Sequence, residues 1–258
     1  MQLEWYHYLI AVLGSALAGS INTLAGNGSA ITLTILTELL GLPGNLANGT
    51  NRVGVFTQSA AGVYAFYRNG KLTVQRSTLP IIMNVIGAAA GVAVAVSVSN
   101  EAFKSVFRFL MIAMLFVILL KPKRWLRETD ISRQPNPWIA IPLYLALGFY
   151  SGFIQMGMGV FFLAVMVLYA RYSLIDANAV KLAVVALNTL LVIIIFQLQG
   201  LINWQIGLIM ALGQTIGGYF TAHYASLYPR ANVWAHRLLV AVVILAIAKM
   251  FNLHKLFL

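Results

Sequence analysis

The chain is a succession of long apolar runs separated by short polar breaks. Within each run the apolar positions are nearly continuous. Such runs predict helices that lie in lipid, whereas an outer-membrane barrel would show short segments of alternating hydrophobicity. Residues 5–25 predict the first helix. Residues 28–41 predict a second element about 21 Å long at 1.5 Å per residue, short for ~30 Å of hydrocarbon. Helices are predicted at 49–67, 77–98 and 103–120. The polar, basic segment from Lys121 to Pro137 interrupts the pattern. Further elements are predicted at 138–156, 159–170, 178–198, 204–226 and 235–253.

The stretch from Gly19 to Lys71 is broken twice in a way no simple spanning helix would be. The first break is Asn22-Thr23 followed by Gly26-Asn27-Gly28-Ser29. The second is Gly41-Leu42-Pro43-Gly44 and then Asn48-Gly49-Thr50-Asn51-Arg52. Backbone polar groups freed at such breaks cost several kcal/mol each in lipid unless protein or water satisfies them. Discontinuous helices in corresponding places of two halves point to a transporter's binding site.

The second half repeats the first. Gly26-x-Gly28 aligns with Gly157-x-Gly159, a shift that sets Thr50 against Lys181 and Arg52 against Ala183. Later landmarks, Gly70 with Gly200 and Arg108 with Arg237, align at slightly smaller shifts. Basic residues give the orientation. Arg68, Lys71 and Arg76 flank one loop, and Lys121, Lys123, Arg124, Arg127 and Arg133 crowd another, so both are expected in the cytoplasm. Arg171 with Lys181, and Arg230 with Arg237, mark inner loops of the second half, while the loop around Gly200 is neutral. The predicted fold is an all-α polytopic membrane protein with two inverted-topology repeats of about five helical segments each, the first two segments of each repeat broken or short. Residues 1–120 form the N-terminal transmembrane repeat, 121–137 a basic cytoplasmic linker, and 138–258 the C-terminal transmembrane repeat. Both termini are expected outside a multi-pass cytoplasmic membrane.

Composition agrees: of 258 residues, 60% are hydrophobic and 9% charged, and there is no cysteine for disulfides or thiolate metal sites. The net charge of +11 sits in loops between apolar runs, which reads as a topology signal and contact with anionic lipid rather than nucleic acid. Ala16-Leu17-Ala18 has the form of a signal-peptidase site. The residues before it carry Glu4 and no Lys or Arg, so the first helix reads as uncleaved. Trp5, Tyr6, Tyr8, Tyr67, Trp125, Trp138 and Trp204 fit aromatic belts, and His223 and His236 read as interfacial.

The first half, AGSINTLAGNGSAITLTILTELLGLPGNLANGTNRVGVFTQ, resembles the opening motif of the TauE/SafE family of sulfite-exporter-like permeases. In that motif a helix ends in a Gly-(Ile/Leu)-(Asp/Asn)-Thr-Leu-Ala-Gly-Gly-Gly-like turn. An apolar run then leads to Gly-Leu-Pro and Ala-x-Gly-Thr-Asn-Arg. GFYSGFIQMGMG with DANAVKLAVVALN is similar to the family's degenerate repeat. The resemblance covers nearly the whole chain. It implies transport of small sulfur-containing anions such as sulfite, sulfoacetate or related organosulfonates. Two departures fall at the presumed site: Asn27 and Ser29 interrupt the glycine cluster, and Gln155-Met156 precedes the second one.

The candidate substrate-binding residues follow from the breaks. Gly26, Gly28, Gly157 and Gly159 permit open backbone and close approach, or plain helix packing. A helix starting at Asn27–Ser29 would aim N–H groups at an anion. Arg52 is a charge on an apolar helix, placed either for substrate or to snorkel to the external interface. Lys181 has the same ambiguity on the cytoplasmic side, where it aligns with Thr50. The amides Asn22, Asn51, Gln58, Gln155 and Asn188 can bind anion oxygens or serve as interhelical glue. Glu38, the acid within an apolar run, is the coupling candidate or a helix-end residue. Neither a cofactor nor a metal is expected. The partners are a small anionic substrate, coupled to protons or sodium, and the bilayer; oligomeric state is left open. The function that fits is a secondary transporter working by alternating access. An anion channel is the alternative. An intramembrane enzyme fits least, since no His-x-x-x-His pair or Gly-x-Ser-Gly motif occurs.

Overall fold

A computed structural model describes residues 4–95, 116, 119, 122–130, 135–153 and 157–250. The described elements are helical: α1 (Trp5–Ala25), α2 (Ser29–Thr34), α3 (Gly44–Arg68), α4 (Val74–Ala95), α5 (Pro122–Trp125), α6 (Pro137–Phe153), α7 (Met158–Ala164), α8 (Leu174–Leu198), α9 (Trp204–Leu227) and α10 (Ala231–Met250). Both short helices continue into one wide π turn, Ile35–Leu39 after α2 and Val165–Tyr169 after α7. The predicted helix at 103–120, with Arg108, and the predicted site residue Gln155 with Met156 lie outside the described residues.

Several predicted helix starts move by three to five residues, from 49 to Gly44, 77 to Val74, 178 to Leu174 and 235 to Ala231. Helix α3 starts at Gly44, directly after Pro43, so Asn48–Arg52 is helical and the second break shrinks to the turn around Gly41. Gly49 marks a close approach instead: a Cβ there would run into the Leu201 carbonyl and the Phe196 ring. Helix α8 starts at Leu174 because Ser173 caps it, accepting the Asp176 N–H at 3.0 Å.

From the π turns onward the two halves match at a constant shift of 130 positions, pairing Ile35 with Val165, Gly44 with Leu174, Arg68 with Leu198 and Val74 with Trp204. The positive-φ residues follow suit, Gly41 (φ 66°) with Arg171 (φ 64°) and Gly70 (φ 69°) with Gly200 (φ 67°). This register corrects the sequence alignment. Lys181 corresponds to Asn51 rather than Thr50, Arg52 to Leu182 rather than Ala183, and Gln58 to Asn188. The slip arises at the first break, where Gly26 and Gly157, both left-handed, are one position further apart.

Small residues set the helix directions. On α9, Gly213 seats on Val12 and Ser15 of α1 and Gly217 on Ala16, so the two helices run parallel. On α6, Gly148 seats on the Asn84 backbone of α4 and Gly152 on Ala88, again in parallel. These small-xxx-small surfaces let backbones meet without apolar driving force. The α3–α9 contacts, Val53 on Gly207, Gln214 on Gly54 and Gln58 on Gly218, are parallel as well. The equivalent helices α3 and α8 run opposite ways: Gly49 meets Phe196 and Gly62 meets Leu182.

Outward faces are apolar. Leu9, Leu13 and Leu17 on α1, Leu208, Leu212 and Ile216 on α9, and Leu187, Leu191 and Ile194 on α8 are all exposed. Helices α1 and α8 are long and apolar enough to cross a membrane. This is the surface of a protein that sits in lipid. The core gathers around α7 and α8, where Met158, Phe162, Leu163 and Met166 are fully covered.

The basic segment before α6 is knitted into that core. Arg76 of α4 donates to the carbonyls of Asp130 (2.9 Å) and Ala170 (3.3 Å) and lies over the Tyr172 ring. The Thr129 hydroxyl bonds the Asp176 carboxylate and accepts the Ser173 N–H. Asn232 of α10 reaches both Glu128 and the Ile175 N–H.

Candidate functional site

The C-terminal end of α1 is where most of the predicted residues converge. Helix α1 stops at Gly26, whose φ of 77° is a left-handed end that a side chain would strain. Gly159, one residue inside α7, packs against it: a Cβ added to Gly26 would stand 2.7 Å from the Gly159 Cα, and the converse holds. The two breaks therefore touch through backbone.

Lys181 lies beside this contact and is almost wholly buried (1% exposed). Its ammonium donates to the Asn22 and Thr23 carbonyls, both at 2.9 Å, and to Asn178 Oδ1. Asn178 in turn donates to the Leu24 carbonyl at 3.2 Å. A helix leaves its last carbonyls unsatisfied and carries partial negative charge there. Lys181 and Asn178 cap α1 from the side, across the two halves of the chain. All three ammonium hydrogens are committed in this conformation.

A second layer fixes Asn22. Its Nδ2 donates to Gln58 Oε1 at 2.7 Å, Gln58 Nε2 donates to the Thr23 hydroxyl at 3.1 Å, and that hydroxyl donates to the Gly19 carbonyl at 2.9 Å. Asn22, Gly26, Ser29, Gly159 and Lys181 border one cavity of about 30 Å³, closed off by Val55 and Met158 among others. That volume admits a water-sized molecule. Gly28 packs on the Ala18 carbonyl, Asn27 belongs to the turn itself, and Gly157 starts α7 at φ 74°. Of the N–H groups that a helix start leaves open, those of Ala30 and Ile31 bond back to Asn27 and Gly28.

Arg52 sits elsewhere, about 12 Å along α3 from its start at 1.5 Å per residue. One of its terminal nitrogens donates to Asn48 Oδ1 at 2.9 Å, and the guanidinium lies 6.0 Å from the Phe196 ring centre. Its Nε is buried without a partner. The neighbouring Asn51 Oδ1 is buried without one too. Thr50 is occupied: its hydroxyl accepts the Asn203 N–H at 2.9 Å and holds the turn before α9.

Asn188 belongs to a third place. Its Nδ2 donates to Asn84 Oδ1 (3.2 Å) on α4 and to the Ser151 hydroxyl (3.0 Å) on α6. Glu38 lies exposed in the π turn after α2 and accepts from its neighbour Thr37 at 3.2 Å. Sequence reasoning missed Asn178, Thr23, Asn84, Ser151 and Gln214. A lone polar residue in an apolar helix was the available signal, the same one that singled out Asn22. No group of acids and histidines able to hold a metal occurs among the described residues.

The model of the family described as sulfite exporter TauE/SafE matches residues 11–250. A probable membrane transporter protein, ORF9, of a Sinorhizobium species is 27% identical over 227 residues, covering 87% of this chain and 86% of its own. The probable membrane transporter protein YfcA of Escherichia coli K12 is 27% identical over 205 residues, 78% of this chain and 74% of its own. A probable membrane transporter protein of Haemophilus influenzae is 27% identical over 202 residues, 78% of each. No solved structure matches the chain. With the match running through both halves, the chain belongs to the sulfite exporter TauE/SafE family.

Proposed function

We propose that the chain is a secondary transporter that moves a small sulfur-containing anion, such as sulfite or an organosulfonate, across the cytoplasmic membrane by alternating access. The observation that carries this reading is the Gly26–Gly159 contact beside Lys181, which closes a polar cavity of about 30 Å³ between the two halves. An anion with three oxygens needs more room than a water-sized molecule. Substrate therefore enters only when the ends of α1 and α7 part, which is the behaviour of a carrier. On parting, the Lys181 ammonium exchanges carbonyl oxygens for anion oxygens, and Asn22 and Ser29 offer further hydrogen bonds. Family membership and the transporter names of the relatives support the same class.

The halves are proposed to be inverted-topology repeats, residues 1–120 and 138–258, joined by the cytoplasmic segment 121–137, with both termini outside. The antiparallel course of α3 against α8 supports the inversion, and the basic loops support the orientation. A catalytic role is not part of this reading. Counterflow in proteoliposomes is the test: labelled sulfite outside should accumulate transiently against unlabelled sulfite inside. Flux that never saturates and shows no counterflow would assign the alternative, an anion channel.

A further inference from the structure

We infer that the cavity between α4, α6 and α8 is a separate binding site for a small amphipathic molecule with an uncharged hydroxyl head. It is a partly open cleft with a volume of about 290 Å³. An apolar cavity of roughly 150 Å³ already holds a benzene ring, so this one holds a substituted ring. Its walls are apolar, with Ala88 and Ala89 on one side and Leu191, Val192, Ile194 and Ile195 on the other. Among the described lining residues the polar side chains are Ser151, Asn188 and Thr189, the first two hydrogen-bonded to each other at 3.0 Å.

Those polar groups are left with unused capacity. Asn188 Oδ1 and Thr189 Oγ1 are buried and lack a hydrogen-bond partner, as does Asn84 Nδ2 behind them. Their residues are 6%, 1% and 0% exposed. Unpaired polar atoms in such a place are costly unless a ligand completes them. Of the two that line the cavity, Asn188 Oδ1 is an acceptor and the Thr189 hydroxyl donates or accepts. A hydroxyl both donates and accepts, so it answers this set. Among the described residues no Lys or Arg borders the cavity, and the Asn188 oxygen faces an anion unfavourably. The site is therefore distinct in chemistry from the one beside Lys181, two turns away on α8.

The other half of the chain indicates what keeps this space open. At the shift of 130 positions Ala89 corresponds to Tyr219, and Ile194 to Tyr64. In that half the Tyr64 and Tyr219 rings pack at 6.5 Å, and Tyr219 also stacks on His223. Gln58, the counterpart of Asn188, is fully paired between Asn22 and Thr23. A methyl at Ala89 in place of a phenol ring leaves the cavity and its orphaned amide. Ala89, Leu191 and Ile194 border it and are exposed on the apolar outer face, so the ligand arrives from the bilayer.

The test compares 4-ethylphenol with ethylbenzene on full-length protein in lipid nanodiscs, by titration and thermal shift. The wild type should bind 4-ethylphenol at least ~10-fold more tightly, the loss expected when a hydrogen-bonding site meets an analogue lacking the group. Asn188→Leu should bring the two ligands to parity. Ala89→Phe should abolish binding of both while the protein still melts cooperatively, and it also serves as the control for partition into lipid. Parity in the wild type, or undiminished binding in folded Ala89→Phe, would overturn the assignment. If Ala89→Phe does not fold, the Asn188→Leu comparison decides alone: an unchanged preference there rejects the site.

Discussion

Gly26 and Gly159 meet backbone to backbone, one at the end of α1 and the other at the start of α7. A Cβ on either would come within 2.7 Å of the other's Cα. Real side chains do not tolerate that approach, and neither neighbour has a flexible end that could yield. The contact joins the two halves at the point where each helix is interrupted.

Gly159→Ala should therefore separate α1 from α7, at a cost of about 1–3 kcal/mol typical of overpacking. Gly26→Ala should cost more, because its φ of 77° adds backbone strain that Gly159 does not carry. Thermal unfolding of both variants checks the order, and sulfite uptake should fall in both. A Gly26→Ala variant no less stable than Gly159→Ala would count against the left-handed end of α1.

Lys181 ties the end of α1 to α8 through the Asn22 and Thr23 carbonyls. Lys181→Met keeps the length of the side chain but takes the ammonium's hydrogen bonds from the Thr23 carbonyl and Asn178 Oδ1, while the Asn22 carbonyl keeps the Gly26 N–H at 3.1 Å. Hydrogen bonds to charged groups contribute about 1.5–3 kcal/mol, so a loss of that size in unfolding free energy is expected. If the ammonium also receives substrate, sulfite binding should weaken in the same variant by more than the stability change explains. Calorimetric titration of protein that remains folded separates the two roles. Full-strength binding would leave Lys181 as a helix cap alone.

The sequence located α1 from Trp5 to Ala25 and put a break after it, because a long apolar run stopped at Gly26-Asn27-Gly28; that Gly26 is left-handed came from the structure. It misread Asn48–Arg52 as a break. Gly49 looked like a helix breaker, but it is a seat for the Leu201 carbonyl, and nothing in local composition distinguishes the two uses. The start of α8 was legible in principle: Ser173 followed three residues later by Asp176 is an N-terminal capping pattern. The Asn22 and Thr23 partners of Lys181 were not legible, since they are backbone carbonyls about 158 positions away and carry no side-chain signature. The register error had a simple cause, an extra position at one break that shifted Lys181 from Asn51 onto Thr50.

Glu38 stands exposed in the π turn after α2, with Thr37 as its hydrogen-bond donor. If proton coupling runs through this carboxylate, Glu38→Gln should leave sulfite counterflow intact and remove the response of net uptake to an imposed pH gradient. Its exposure predicts little change in stability. Measured uptake in proteoliposomes with and without the gradient decides, and an unaltered pH response would assign Glu38 to the membrane interface.

Arg52 is a cation with unused capacity. It is held by Asn48 at 2.9 Å and by the face of Phe196, while its Nε has no partner. The sequence suggested a position one turn from the helix start, within reach of the interface. With α3 beginning at Gly44, Arg52 lies two turns in, where a charge on an apolar helix is held for function more often than for anchoring. Its counterpart in the other half is Leu182, so the feature belongs to one end of the path only. Arg52→Ala should weaken sulfite binding by about 1.5–3 kcal/mol, roughly 10- to 150-fold, the loss of a charge-assisted contact. Arg52→Lys should recover only part, because an ammonium cannot reproduce the planar fork or its stacking on Phe196. Asn48→Ala should show a smaller loss through freer motion of the guanidinium. Titration of the three folded variants with sulfite tests the ranking. Equal affinity in all three and the wild type would move substrate away from Arg52 and leave the Lys181 cavity as the sole binding place.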